Sequence, residues 1–334
     1  MAGEAALSRT IQALLTTTLD AYLESNKLYD NVFDATPFWA WLNSGNRIKT
    51  VAGGYELTTA VLNEANSTAR SYSGYDALDT TAQEGMTRTY LDPKQYSVHI
   101  GMNGDEITAN RGEAEILDLW MSKITQGELS VANKLSEGAF SDGTGNSSKD
   151  LTGLQAMVDT TPTASTYAGI NRANATWWRN QANASVGAAA TNLISNIRQY
   201  YNSCAQGKGV MSTRPDAIFT TQTVHEALEA LLFPMFQFTP GGNSGSTEQS
   251  ANAGVTNLYY KAAEVIWDAD VPSGYLYILD SNHIWLAVYR GRDLRSKEEV
   301  QKPFNQDALG CQILFKGNLV SPAVKKLGVL AGIT

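Results

Sequence analysis

The chain has 334 residues, 43% of them hydrophobic, which is enough for one large or two ordinary domains with a full core. Its net charge is −8, from 25 basic and 33 acidic residues, and no basic run is longer than Lys325-Lys326. That argues against a dedicated nucleic-acid binder, which needs clustered Lys and Arg to neutralise phosphates. Only 17% of residues are charged, below the roughly 25% of ordinary soluble domains, so the polar but uncharged exterior suits a protein covered by neighbours.

The N-terminus, Met1-Ala2-Gly3-Glu4, has no basic region followed by an apolar core, so no secretory signal is expected. No apolar stretch approaches the roughly 18 residues of a membrane span. Cys204 and Cys311 are too few for a disulfide framework and are expected as reduced, buried thiols in a chain made in a cytoplasm.

Helical spacing runs through Leu7, Ile11, Leu14, Leu15, Leu19, Leu23 and Leu28. An aromatic cluster follows at Phe33, Phe38, Trp39 and Trp41, expected to anchor an otherwise peripheral N-terminal arm. The forty residues from Gly53 to Asp92 then contain no Phe, Ile, Trp, Cys or Lys. Their larger apolar residues (Leu57, Val61, Leu62, Leu78, Met86, Leu91) are too sparse for a core. Yet four tyrosines, many Thr and short alternating runs give the composition of a long two-stranded arm. A lone hairpin is marginal in water, so such an arm needs support from another surface, and a second copy of the chain is the economical candidate.

From Lys94 to Gly104, Tyr96, Val98, Ile100 and Met102 alternate with polar residues and predict a half-buried strand. Asn110-Arg111-Gly112-Glu113 has the spacing of a capping box and predicts a helix over about 112–138, with Leu117, Met121, Ile124, Val131 and Leu135 as its stripe and Trp120 beside it. Asp142 to Lys149 reads as a loop. A second helix is expected over about 187–205, with Leu193, Ile194, Ile197, Tyr201 and Cys204 inward and Gly207 as its stop. A strand at Ala217–Thr220 precedes a helix capped by Thr223 and Glu226 and ended by Pro234. Residues 239–254, with no side chain larger than Gln, predict a mobile loop. Strands follow at 258–260, 275–279 and 284–289, the last two joined by the turn Asp280-Ser281-Asn282, and Cys311, Ile313 and Phe315 alternate in a closing strand.

His99, His225 and His283 are the only histidines, none at metal-ligand spacing from another or from a cysteine, so each is read as structural. Gly207-Lys208-Gly209 lacks the spacing of a phosphate loop. Asp142-Gly-Thr-Gly-Asn146 lacks the acidic positions of a calcium loop. Asp268 and Asp270 are too isolated for a catalytic pair, and Trp177-Trp178-Arg179 reads as packing. No catalytic, cofactor-binding or metal-binding residues are assigned, and no enzyme activity is expected.

Gly153-Leu154-Gln155-Ala156-Met157-Val158, Thr166-Tyr167-Ala168-Gly169-Ile170-Asn171-Arg172 and Trp177-Trp178-Arg179 together resemble a run found in the major capsid proteins of tailed bacteriophages. The order of elements is similar over essentially the whole chain. The resemblance implies an α+β fold of the Hong Kong 97-like type. Residues 1–52 would be the N-terminal arm and 53–93 the extended loop. Residues 94–165 with 290–334 would be the peripheral domain with its spine helix, and 166–289 the axial domain. It implies pentamers and hexamers of one chain in an icosahedral virion shell around double-stranded DNA, assembled in a bacterial host cytoplasm without sequence-specific DNA binding. A separate scaffolding protein, a portal and decoration proteins would be the other partners. Intersubunit contacts would fall on Tyr72, Tyr75, Leu78, Glu84 and Arg88, with the last two charges partly buried there. Gly241, Gly242 and Gly245 would sit in the axial loop. Some relatives crosslink through a lysine on the extended loop, which this chain lacks. Two alternatives stand beside this reading: an encapsulin-like nanocompartment shell, and a cytoplasmic hydrolase with a dispersed site.

Overall fold

The computed structural model describes residues 37–45, 47–109, 119–205, 214–232, 258–261, 263–297 and 307–334. Its helices of six or more residues are α1 (Pro37–Ser44), α2 (Gly104–Ala109), α3 (Leu119–Ala139), α4 (Ala189–Cys204) and α5 (Gln222–Leu232). Its strands are β1 (Ile48–Val51), β2 (Leu57–Leu62), β3 (Met86–Leu91), β4 (Lys94–Asn103), β5 (Thr166–Tyr167), β6 (Ile170–Asn171) and β7 (Gln181–Asn183). They continue as β8 (Ala217–Thr220), β9 (Leu258–Tyr260), β10 (Ala263–Trp267), β11 (Leu276–Leu279), β12 (Trp285–Lys297), β13 (Ala308–Val320) and β14 (Gly328–Leu330). The helix expected within 7–30, the Asn110–Glu113 box, Gly207 and the loop 239–254 lie outside the described residues, as do Phe33 and Leu117.

Among the described residues the chain forms two compact units, one from 96–135 and 291–315, the other from 36–95, 136–290 and 316–334. The second is built on a six-stranded mixed sheet of order β7-β14-β11-β8-β10-β9. Its central strands β8 and β11 are buried at every position, as continuous apolar runs require when both faces are covered. One face, through Ile218, Val265, Leu276 and Ile278, packs against Leu193, Ile197, Tyr201 and Cys204 of α4 and Val224 and Leu228 of α5. The other face presents Phe219 and Tyr277. There Phe38 lies 5.2 Å from Phe219 and 5.1 Å from Phe140, and Trp41 lies 5.4 Å from Phe219. Phe38 and Trp41 of the expected aromatic cluster thus pack on this face, and the Phe38 N–H donates to the buried Asp268 carboxylate at 3.1 Å.

In the first unit, Ile100 of β4, Ile124 of α3 and Cys311 and Ile313 of β13 form the core. Gly127 allows close approach: a Cβ there would stand 3.0 Å from Ile100 and 3.1 Å from Val98. β4 alternates as expected, with Ile100 and Met102 buried. A capping box that the sequence reading did not single out forms at Asn103 and Glu106. The Glu106 N–H donates to Asn103 Oδ1 at 2.8 Å, and the Asn103 N–H to Glu106 Oε2 at 3.3 Å.

Two sequence expectations change. Helix α5 begins at Gln222, so Thr223 lies inside its first turn and Glu226 instead accepts from Gln222 Nε2 at 2.9 Å. β11 and β12 are not a hairpin. β11 belongs to the six-stranded sheet, whereas β12 belongs to a four-stranded sheet of order β1-β12-β13-β4. The turn at Ser281–His283 is therefore a crossing between sheets.

Candidate assembly surface

The arm is a real two-stranded ladder with a regular base and an irregular tip. β2 and β3 pair antiparallel from Leu57↔Leu91 to Leu62↔Met86, and Asn63 N–H adds one more bond to Gly85 O at 3.0 Å. Alternation sorts the ladder into faces. Leu57, Thr89 and Leu91 are buried near the base, while Thr58, Ala60, Leu62, Met86, Arg88 and Tyr90 form the exposed face. The cross-strand pair Leu62 and Met86 is 75% and 74% exposed, an apolar contact facing water.

Beyond the ladder no apolar core organises residues 63–85. Short polar bonds do so instead. Ser67 Oγ donates to Gln83 Oε1 at 2.9 Å, the Ser73 N–H to Asp76 Oδ2 at 2.8 Å, and an Arg70 guanidinium N–H to Ala77 O. Gly74 takes the positive φ of 43° that its turn needs. Hydrogen bonds from Thr81, first its side chain and then its backbone, hold the Asp79 carboxyl below its usual range. Tyr72, Tyr75 and Leu78 of the expected contact set stand on this tip, all exposed. Glu84 and Arg88 are also exposed in the single chain. Of nine large hydrophobic side chains exposed among the described residues, seven lie between Tyr55 and Tyr90. Apolar surface so concentrated on one element makes the arm the candidate contact surface.

The base, by contrast, is fixed at several points. Tyr289 Oη donates to Gly54 O at 3.0 Å. The buried Asn318 donates to Asp92 O at 2.8 Å while its Oδ1 accepts from Thr152 N–H and Leu319 N–H. Lys94 Nζ donates to Ser148 O at 2.6 Å. Tyr90 N–H donates to Ala168 O at 3.2 Å, and the Tyr90 ring lies across Gly169 so closely that a Cβ there would meet ring carbons at 2.1 Å.

That contact explains the motif residues. β5 and β6 form a hairpin closed by Ala168-Gly169, both at positive φ (52° and 76°), the two-residue turn in which Gly is strongly preferred. Beneath it Arg172 is completely buried. Its guanidinium donates to Met157 O and to Ser165 Oγ and sits 5.3 Å from the centre of the Tyr167 ring. Burial pulls its pKa down to about 10, with Tyr167 and Asp159 opposing, so it stays charged at neutral pH. Trp178 Nε1 donates to Tyr167 O at 3.1 Å, and Arg179 Nε to Arg172 O at 2.7 Å. At Gly153 a Cβ would stand 2.4 Å from Gly138 O, so only Gly lets the chain pass the end of α3. The motif is a structural knot under the arm's base, and sequence reasoning missed this link because it lies between segments about 80 residues apart.

Gly241, Gly242 and Gly245 lie outside the described residues. Among the described residues no three His, Cys, Asp or Glu side chains are grouped as a metal site requires, and no helix is long and apolar enough to cross a membrane.

No protein-family profile and no curated protein matches the chain. Solved structures do. The chain is similar to the capsid subunit of cyanophage A-1(L), with a TM-score of 0.70 and 16% identity over 92% of this chain and 95% of that one. It is also similar to the capsid of Myoviridae phage XM1, with a TM-score of 0.56 and 12% identity over 92% and 96%. The SrpI encapsulin of Synechococcus elongatus gives a TM-score of 0.57 and 7% identity over 94% and 95%. These likenesses span nearly the whole of each chain, so the protein has the α+β fold of tailed-phage capsid proteins, the Hong Kong 97-like fold.

Proposed function

We propose that this chain is the major capsid protein of a tailed phage, assembling as pentamers and hexamers into an icosahedral shell around double-stranded DNA. The arm carries the reading: its base is fixed, its tip has no core, and its apolar residues face solvent. Another copy of the chain is the partner that such an element fits, and closed symmetric assembly repeats each contact through the shell. Residues 1–52 act as the N-terminal arm, 53–93 as the extended loop, 94–165 with 290–334 as the peripheral domain and 166–289 as the axial domain. Tyr72, Tyr75, Leu78, Glu84 and Arg88 make the intersubunit contacts, and Gly241, Gly242 and Gly245 lie in a loop near the capsomer centre. The role is structural rather than enzymatic. A separate scaffolding protein, a portal and decoration proteins complete a particle built in the host cytoplasm, and the acidic balance confines DNA without gripping it.

The test is to replace Asp76 to Gln83 by a short Gly-Ser linker and weigh the products by mass photometry. The unaltered chain should give megadalton particles, whereas the variant should give folded small species with unchanged melting. A variant that melts far lower before assembling would assign the arm to the subunit's own core. The likeness to SrpI supports the encapsulin alternative, and particle contents separate the two: nuclease-protected DNA for a virus, a protein cargo for a nanocompartment.

A further inference from the structure

Outside the arm, three side chains form a relay. The buried Asp280 Oδ2 lies 2.9 Å from His283 Nδ1, and His283 Nε2 lies 3.1 Å from Lys326 Nζ. An ammonium has only hydrogens to offer, so Nε2 must present its lone pair and the ring must be neutral, with its proton on Nδ1 facing Asp280. The relay also has a telling location. His283 sits in the turn Ser281–His283, where the chain passes from β11 to β12, and Lys326 in the turn Val324–Lys326, where it passes from β13 to β14. β11 and β14 are neighbours in the six-stranded sheet, and β12 and β13 in the four-stranded one. One imidazole thus ties together two crossings between the sheets.

We propose that Asp280, His283 and Lys326 form a proton-operated clamp, closed while His283 is neutral and opened when it is protonated. Protonation puts a hydrogen on Nε2, so two donors and two positive charges face each other at 3.1 Å. Lys326 is the member that leaves. Its amine is on a flexible stem of a residue that is only half-buried, whereas the imidazolium keeps its bond to Asp280. That carboxyl also accepts from Asn282 N–H and Nδ2, at 3.0 and 3.1 Å. Burial opposes its charge, but the bonds from His283 and Asn282 outweigh burial and hold it below the usual range, so it remains an anion while the ring titrates. The surrounding charges do not substitute for Lys326. Asp216 accepts from Ser281 N–H at 2.8 Å and faces Arg47 at 3.8 Å, Lys325 is exposed, and the nearby Cys204 thiol is pushed up chiefly by burial. The ring is 19% exposed, which lets protons exchange with solvent. The clamp stands independently of what the assembled particle encloses.

Reductive methylation of the purified full chain before assembly, read peptide by peptide in a mass spectrometer, tests this through the ratio of Lys326 to Lys325 labelling. Taking the ratio to an exposed neighbour removes the intrinsic pH dependence of amine reactivity. In the unaltered chain the ratio should rise several-fold as the pH is lowered from about 8 to about 5.5. His283→Gln keeps an acceptor that does not titrate, so its ratio should stay low and flat. His283→Phe removes the acceptor, so its ratio should be high and flat. A flat ratio in the unaltered chain, or a pH-dependent rise that persists in either variant, would overturn the clamp.

Discussion

Arg172 shows how a single residue carries the architecture beneath the arm. It is fully buried, yet it bonds Met157 O and Ser165 and is covered by the Tyr167 ring. Truncation to Ala removes the bonds and leaves a cavity, so Arg172→Ala should cost on the order of 3 kcal/mol in urea unfolding. Arg172→Met fills much of the same volume without a charge to desolvate and should cost less; equal losses would mean that the bonds, not the packing, dominate. Two buried carboxylates have opposite pH signatures. Burial raises Asp268 above its ordinary 3.8 despite bonds from Asp270 and Phe38 N–H, so the folded state holds that proton more tightly than the unfolded chain. Its contribution should therefore decline as pH rises from about 4 through the raised value. Asp280 is lowered, so its contribution is complete above the unfolded value and is lost as pH falls through the folded one. Stability measured against pH for Asp268→Asn and Asp280→Asn should differ from the parent with these opposite slopes. Parallel slopes would refute the assignment.

At the scale of elements, the hairpin β5–β6 is the seat of the arm. Gly169→Ala meets two penalties: its φ of 76° costs an L-residue roughly 1–2 kcal/mol, and the new methyl collides with the Tyr90 ring. The variant should lose stability and release Tyr90, which a rise in amide hydrogen exchange at the ends of β2 and β3 would reveal; unchanged exchange there would show that the arm is held without this seat. The arm itself was legible in the sequence because its signal is local: a long coreless run with alternating Thr and Tyr. The strand at 94–103 and the helix α4 were legible for the same reason, their periodicity. What escaped depends on distant partners. β1, β7, β10 and β14 have only three to five residues each, too few for a pattern, and β14 is fixed by β7 and β11 rather than by its own composition. The turn at Ser281–His283 looked like a hairpin because local sequence cannot say which sheet the next strand joins. The capping box at Asn103 and Glu106 escaped because the six-residue helix it opens is too short for periodicity to point to it. The link from Tyr90 to Gly169 was invisible for want of any local sign.

At the scale of the whole molecule, the proposed shell raises the question of what would hold its subunits together. An isopeptide bond requires a mobile lysine amine beside a neighbour's amide, with a carboxylate as base. The arm from Gly53 to Asp92 contains no lysine, and the two that flank it are restrained. Lys49 Nζ lies 3.6 Å from the centre of the Trp285 ring, and Lys94 is bonded to Ser148 O. Both cysteines are buried, and burial raises the Cys204 thiol pKa, so disulfide exchange is disfavoured as a substitute. In the proposed shell, strength would then come from many weak contacts: the exposed Leu62 and Met86 covered by a neighbour, Tyr72 and Tyr75 packed, and Glu84 paired with Arg88 across the contact. Each would contribute on the order of 1 kcal/mol, and closure would multiply them, because no subunit could leave without breaking contacts on several sides. Particles boiled in detergent with reductant should therefore run as one band at 36.1 kDa. A ladder of covalent oligomers would place a crosslinking lysine elsewhere, and peptide mapping of its bands would identify which one.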